Sequence, residues 1–136
     1  MFKAAHKAGK SVIGSFHDFE RTPDAKELRD VIRAGRRAGA DIVKVATVIH
    51  APSDIAVLSS VLKKEGKKPL CLIGMGQHGV ATRVTFACKG SCLTYGYADR
   101  SAAPGQTPSS TVMRRLRKVC PAYEKDYLSR HGLSPA

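Results

Sequence analysis

Two residues stand out for the chemistry their types and spacing could perform, Lys44 and His17. Lys44 lies inside Asp41-Ile42-Val43-Lys44-Val45-Ala46-Thr47-Val48, a β-branched run of strand length whose one charge past its first residue is this lysine. Side chains alternate along a strand, so Val43, Val45 and Thr47 point to one face, and Ile42, Lys44 and Ala46 to the other. Both faces are largely apolar, the pattern of a parallel strand covered on both sides, and Lys44 is expected to project into a partly desolvated interior. Burial disfavours the ammonium form and lowers a lysine pKa, which frees the amine to attack a carbonyl and form a Schiff base. A lysine near a strand end can instead snorkel to water. His17 follows the preceding apolar run. Beside an imine, a histidine can remove the α-proton of a β-hydroxy ketone while the iminium takes up the electrons, and can then protonate the leaving hydroxyl. Elimination of water is the reaction that suits the pair.

The elements that must position them are legible around each motif. Residues 1–9 read as the last turns of a helix ending at Gly9, and Ser11-Val12-Ile13-Gly14-Ser15-Phe16 as a strand with His17 to Arg21 as the loop that leaves it. Thr22 as N-cap and Pro23 at the first helical position open a helix with Leu28, Val31, Ile32, Gly35 and Ala38 at helical spacing, stopped by Gly39. A helix from about Pro52 to Glu65, closed by Gly66, follows the lysine strand. Pro69 to Gly74 reads as a third strand, Met75 to Gly79 as a glycine-punctuated loop, and Val80 to Ala87 as a short helix carrying Arg83. Ser91 to Gly96 reads as a fourth strand, and residues 98–106 as a loop. Thr107-Pro108 repeats the helix-start signal before Val112, Leu116 and Val119. Tyr123 to Ala136 is a polar tail with room for one more helical turn. This divides the chain into a domain over residues 1–120 and a tail over 121–136.

Four consecutive strand and helix units predict an α/β fold with a parallel sheet and right-handed crossovers. Such a set makes either a small open sheet or half of an eight-stranded barrel. In both, His17, Lys44, Arg83 and Gln106 gather at the C-terminal ends of the strands, where neighbouring strands lie about 4.8 Å apart and side chains can share one substrate.

The totals bound the alternatives. A chain of 136 residues with 43% hydrophobic content is one ordinary domain with a real core. It contains no apolar run long enough to span a membrane, and its start lacks the apolar stretch of a secretory signal. Cys71, Cys88, Cys92 and Cys120 form no CxxC pair and match no zinc or disulfide framework. Free thiols in a reducing, cytoplasmic compartment are expected, with Cys71 and Cys92 inside strands. A net charge of +12 invites an anionic partner. The cations are scattered, however, at Arg36-Arg37, Lys63-Lys64, Lys67-Lys68 and Arg114 to Lys118, largely on helix ends where they complement the helix dipole. With no Trp and 6% aromatics, no stacking platform is visible, which argues against nucleic acid.

Ser15-Phe16-His17-Asp18-Phe19, Asp41-Ile42-Val43-Lys44-Val45-Ala46, Met75-Gly76 followed by Arg83, and Ala103-Pro104-Gly105-Gln106 occur in an order and spacing that resemble the type I 3-dehydroquinate dehydratases of the shikimate pathway. The resemblance runs from about residue 10 to residue 120 and is to the second half of that family's TIM barrel. It implies that Lys44 forms the imine with 3-dehydroquinate and that His17 is general base and acid. It further implies that Arg83 and Gln106 hold the substrate carboxylate and that Met75 lines the pocket. No metal or cofactor is implied, since the imine supplies the electron sink. Where the family often has a carboxylate-binding serine this chain has Ala102, with Ser101 one place earlier as a substitute. A half-barrel exposes strand edges and inward-facing side chains, so self-association, most simply a two-fold dimer, is expected. The alternatives are a non-catalytic relic or regulatory half-barrel and, from charge alone, a nucleic-acid-binding module.

Overall fold

The computed structural model describes residues 2–101 and 105–134. Its centre is strand β2 (Ile42–Val48), flanked in parallel by β1 (Ile13–Asp18) and β3 (Leu70–Met75) in the order β1-β2-β3. Helix α1 (Phe2–Lys7) precedes β1, α2 (Ala25–Arg37) joins β1 to β2, and α3 (Pro52–Glu65) joins β2 to β3. A short 3-10 turn (Gln77–Gly79) and α4 (Thr82–Cys88) follow β3, and α5 (Ser109–Val119) and α6 (Pro121–His131) complete the chain. Among the described residues no helix is long and apolar enough to cross a membrane.

One face of the sheet carries the main core. Val43 and Val45 from β2, with Leu70 and Leu72 from β3, pack against Leu28 and Ile32 of α2 and against Leu58, Val61 and Leu62 of α3. Each of these side chains is at most 3% exposed, and burying one such aliphatic group stabilises a fold by about 1.5–3 kcal/mol. Thr47 is the polar member of this face. Its hydroxyl lies 2.9 Å from that of Thr22, which also donates to the Val48 carbonyl at 2.7 Å. That bond explains why Thr22 does not cap α2. Asp24 does so instead, accepting from Lys26 N and Glu27 N at 2.7 and 2.9 Å, while Glu27 accepts in return from Asp24 N.

The opposite face, to which Lys44 belongs, is covered unevenly. Ala46, Cys71 and Ile73 are buried under Leu93, whereas Ile13 on β1 is 43% exposed and Ser15 and His17 are exposed as well. The strand expected to be covered on both sides is therefore covered fully on one.

Three expected elements differ from those observed. His17 lies within β1 and not in the loop after it, because pairing with β2 continues as far as Asp18 opposite Thr47. Residues 91–96 do not form a fourth strand. Cys92 N donates to the Leu70 carbonyl at 2.9 Å, but the neighbouring β3 donor, Leu72 N, is taken at 3.0 Å by the Ser91 hydroxyl, which itself donates to the Leu93 carbonyl at 3.1 Å. A side chain has replaced a ladder bond, and the segment continues to a single bridge between Tyr97 and Pro108. Cys92 is consequently exposed. Where a polar tail is expected, α6 forms 11 residues of helix. It is held to α5 by Glu124, which accepts from Arg117 Nε and Nη2 at 2.7 and 3.0 Å, and Tyr123 packs against the cluster of Val112 and Leu116. Basic side chains do close α2, α3 and α5, with Arg36 and Arg37, Lys63 and Lys64, and Arg117 and Lys118 in their last turns.

Ser91 is 6% exposed, so its removal leaves the Leu72 amide buried without an acceptor. Ser91→Ala is expected to lower stability by about 1–3 kcal/mol in a denaturant titration. A midpoint unchanged from wild type would show that the segment does not rest on this bond.

Candidate active site

The site is built by register. Ser15 pairs with Lys44 across β1 and β2, and His17 stands two residues further along β1 on the same face. The long lysine side chain spans that diagonal, placing Nζ 3.2 Å from His17 Nε2. The Tyr95 ring lies below the amine, its centroid 4.9 Å from Nζ, a cation–π distance. On the other side of β2, Lys44 pairs with the buried Cys71.

Lys44 and His17 open into a cavity of about 430 Å³, which Met75, Arg83, Tyr95 and Gln106 also line. Arg83 reaches it from α4 and is only 5% exposed, and among the described residues its Nε and Nη1 have no hydrogen-bond partner. Burial lowers its pKa, yet a guanidinium stays charged in a protein, so a fixed cation lines one wall. Gln106 is delivered by a close approach of two loops. Gly105 has φ +76° and its Cα lies so near the Gly76 backbone, itself at φ +75°, that any Cβ would collide with it.

Five of the six residues singled out from the sequence, His17, Lys44, Met75, Arg83 and Gln106, thus share one cavity. Ser101 is exposed and is not among the residues lining it. Ala102, with Ala103 and Pro104, lies outside the described residues. Sequence reasoning missed two aromatics. Phe19 stacks on the His17 ring with centroids 5.8 Å apart and planes 13° from parallel, and Tyr95 floors the lysine. For Phe19 the signal is its place two residues after the histidine, the same side of an extended chain. Tyr95 offers none without the path of residues 91–97.

Parallel strands that present an amine and an imidazole to one cavity, with a buried guanidinium reaching it from the helix after the third strand, define the site as that of an α/β-barrel segment with a lysine–histidine centre. The family profile of type I 3-dehydroquinase matches residues 1–119, and the chain belongs to that family. It is 41% identical over 120 residues to the 3-dehydroquinate dehydratase of Methanosarcina barkeri, covering 85% of this chain and 50% of that one. Among solved structures, the 3-dehydroquinate dehydratase of Geobacillus kaustophilus superposes with a TM-score of 0.80 at 32% identity, covering 86% of this chain and 47% of the other. The type I enzyme of Clostridium difficile gives 0.80 at 30% identity, covering 88% and 48%. The chain spans about half the length of the relatives it matches.

Partial desolvation of a ring that is otherwise exposed, and then the charge of Lys44, hold His17 below the ordinary imidazole pKa of 6.5. The unfolded chain therefore binds the proton more readily than the fold does. The site's contribution to stability is present above pH 6.5 and is lost as pH falls through the lower folded pKa. In a histidine NMR titration, Lys44→Met is expected to move the His17 midpoint upward while leaving it below 6.5, because the partial desolvation remains. A midpoint unmoved by that substitution would break the electrostatic link between the two residues.

Proposed function

We propose that this chain carries the reacting half of a 3-dehydroquinate dehydratase, with Lys44 as the imine-forming amine and His17 as the proton carrier. The observation that carries this reading is the 3.2 Å contact between the two side chains within a cavity that also holds the buried Arg83. The Lys44 amine adds to the ketone carbon of 3-dehydroquinate and water leaves, giving an iminium. His17 removes the adjacent proton, the iminium nitrogen takes up the electron pair, and the resulting enamine expels the β-hydroxyl as His17 returns the proton to it. Hydrolysis then frees the dehydrated product and restores the lysine. Arg83 presents its guanidinium, whose Nε and Nη1 have no partner among the described residues, to the substrate carboxylate, with Gln106 and Met75 lining the same cavity. The imine is the electron sink, so the scheme calls on no metal or cofactor. Four cysteines without a framework spacing support a cytoplasmic setting.

The uneven inner face supports a second element of the proposal, that the chain works self-associated. Among the described residues β1 has a neighbour on one side only, and Ile13, Ser15 and His17 stand exposed along it. A two-fold dimer over this face would remove water from around the lysine and cover the open strand edge.

Borohydride reduction in the presence of 3-dehydroquinate is expected to leave a covalent adduct on Lys44, read by peptide mass spectrometry and absent in Lys44→Ala. A folded protein that gives no adduct overturns the assignment. Light scattering is expected to give twice the chain mass, and a monomer at micromolar concentration would count against the covered face.

A further inference from the structure

We propose that Thr94 is a positioning residue for the carboxylate end of the substrate, acting through Arg83; this rests on Arg83 receiving that carboxylate. Among the described residues no hydrogen bond holds the guanidinium at Nε or Nη1, both of which are buried. Beyond the packing around it, the direction in which the guanidinium points is set from its backbone end, by whatever fixes residue 83.

Helix α4 has only seven residues, and Ala81 gives its start no side-chain cap. A helix this short is marginal alone, so its first turn depends on struts from outside. Two threonines supply them. Thr82, 1% exposed, donates to the Gly79 carbonyl at 2.6 Å and accepts from Gly74 N at 2.9 Å, which fastens the helix start to the end of β3. Thr94 donates to the Arg83 carbonyl itself at 2.8 Å, across eleven positions of the chain.

The stretch that carries Thr94 is anchored on both sides. Before it, Cys92 N donates to the Leu70 carbonyl at 2.9 Å. After it, Tyr97 N donates to the Thr107 carbonyl at 3.1 Å, and the Tyr97 carbonyl accepts from Ser109 N at 2.8 Å. Gly96 lies so near the Ser109 backbone that a Cβ there would collide with it. This held segment presents the Thr94 hydroxyl to Arg83 and, one residue on, the Tyr95 ring to Lys44. The amine that takes the ketone and the guanidinium that takes the carboxylate are thus both placed against one dipeptide. Without the Thr94 bond Arg83 loses its strut, whereas Tyr95 keeps its anchor at Tyr97. A ligand's carboxylate would then be held less well, and its ketone as before.

The probe for the guanidinium is cyclohexanecarboxylate, which has the carboxylate and no ketone. It is titrated into the isotope-labelled full chain while the Arg83 Nε–H resonance is followed by NMR. Wild type is expected to bind it, Thr94→Val roughly five- to tenfold more weakly, and Thr94→Ser, which restores the donor, as wild type does. Cyclohexanone, a ketone without a carboxylate, reports on the fold and on Lys44. Its borohydride-trapped yield on Lys44 is expected to agree within about twofold among the three proteins, since the lost bond is to Arg83 alone.

Equal affinity of Thr94→Val and wild type for the carboxylate overturns the proposal, as does an Arg83 resonance that the carboxylate does not move. A Thr94→Ser protein as weak as Thr94→Val also overturns it. So does a cyclohexanone yield that falls in Thr94→Val, because the loss would then not be confined to the carboxylate end. The 3-dehydroquinate adduct on Lys44 is read separately in wild type, so a failure of the imine assignment and a failure of the Thr94 assignment give different results.

Discussion

Everything at the site depends on the parallel register that sets Ser15 and Cys71 on either side of Lys44. Because side chains in a sheet alternate with a period of two, a slip of one residue in either pairing would turn Lys44 or His17 into the helix-covered core. The slip is opposed by the other face of the same strands, where Val43, Val45, Leu70 and Leu72 are each at most 2% exposed against α2 and α3. The apolar face thus fixes where the polar one puts its amine. The chemistry is placed by residues that take no part in it.

The second constraint is electrostatic. The site holds two basic nitrogens 3.2 Å apart, and a buried guanidinium faces the same cavity. Like charges at that separation disfavour one another, which is consistent with a His17 held in its neutral form near pH 7. A neutral imidazole can accept a proton, and a protonated one could not. The Tyr95 ring meets the remaining positive charge with its electron-rich face at no cost in counter-charge. Arg83 keeps its own charge, and the donors it leaves without a partner among the described residues mark where an anion is most strongly favoured.

The asymmetry of the sheet follows from what each strand has beside it. β3 is sheltered by Leu93 and by the Ser91 hydroxyl bonded to Leu72 N, and its residues Cys71 and Ile73 are buried. β1 has no such cover, and exposure on the inner face rises from β3 across to β1. The chain matches about half the length of its relatives, and the exposed edge is the place where a sheet of this kind would continue or be covered.

The sequence by itself determined the alternation of strands and helices as far as β3 and the face on which Lys44 sits, because hydrophobic period and helix-start residues act over a few positions of the chain. It also identified the family through motifs whose order needs no coordinates. Only the tertiary structure decided what depends on partners distant in the chain. Thr22 reads as a cap locally but is drawn to Thr47 and Val48, leaving Asp24 to cap α2. Residues 91–96 have strand composition, yet Ser91 takes the donor a ladder would use. The polar run after Cys120 becomes helix because Arg117 holds Glu124 and Leu128 finds a buried place. Tyr95 reaches the lysine through a chain path that no local pattern encodes. Local rules choose elements, whereas a side chain's partner is chosen by whichever distant segment the packing brings within hydrogen-bond or van der Waals reach.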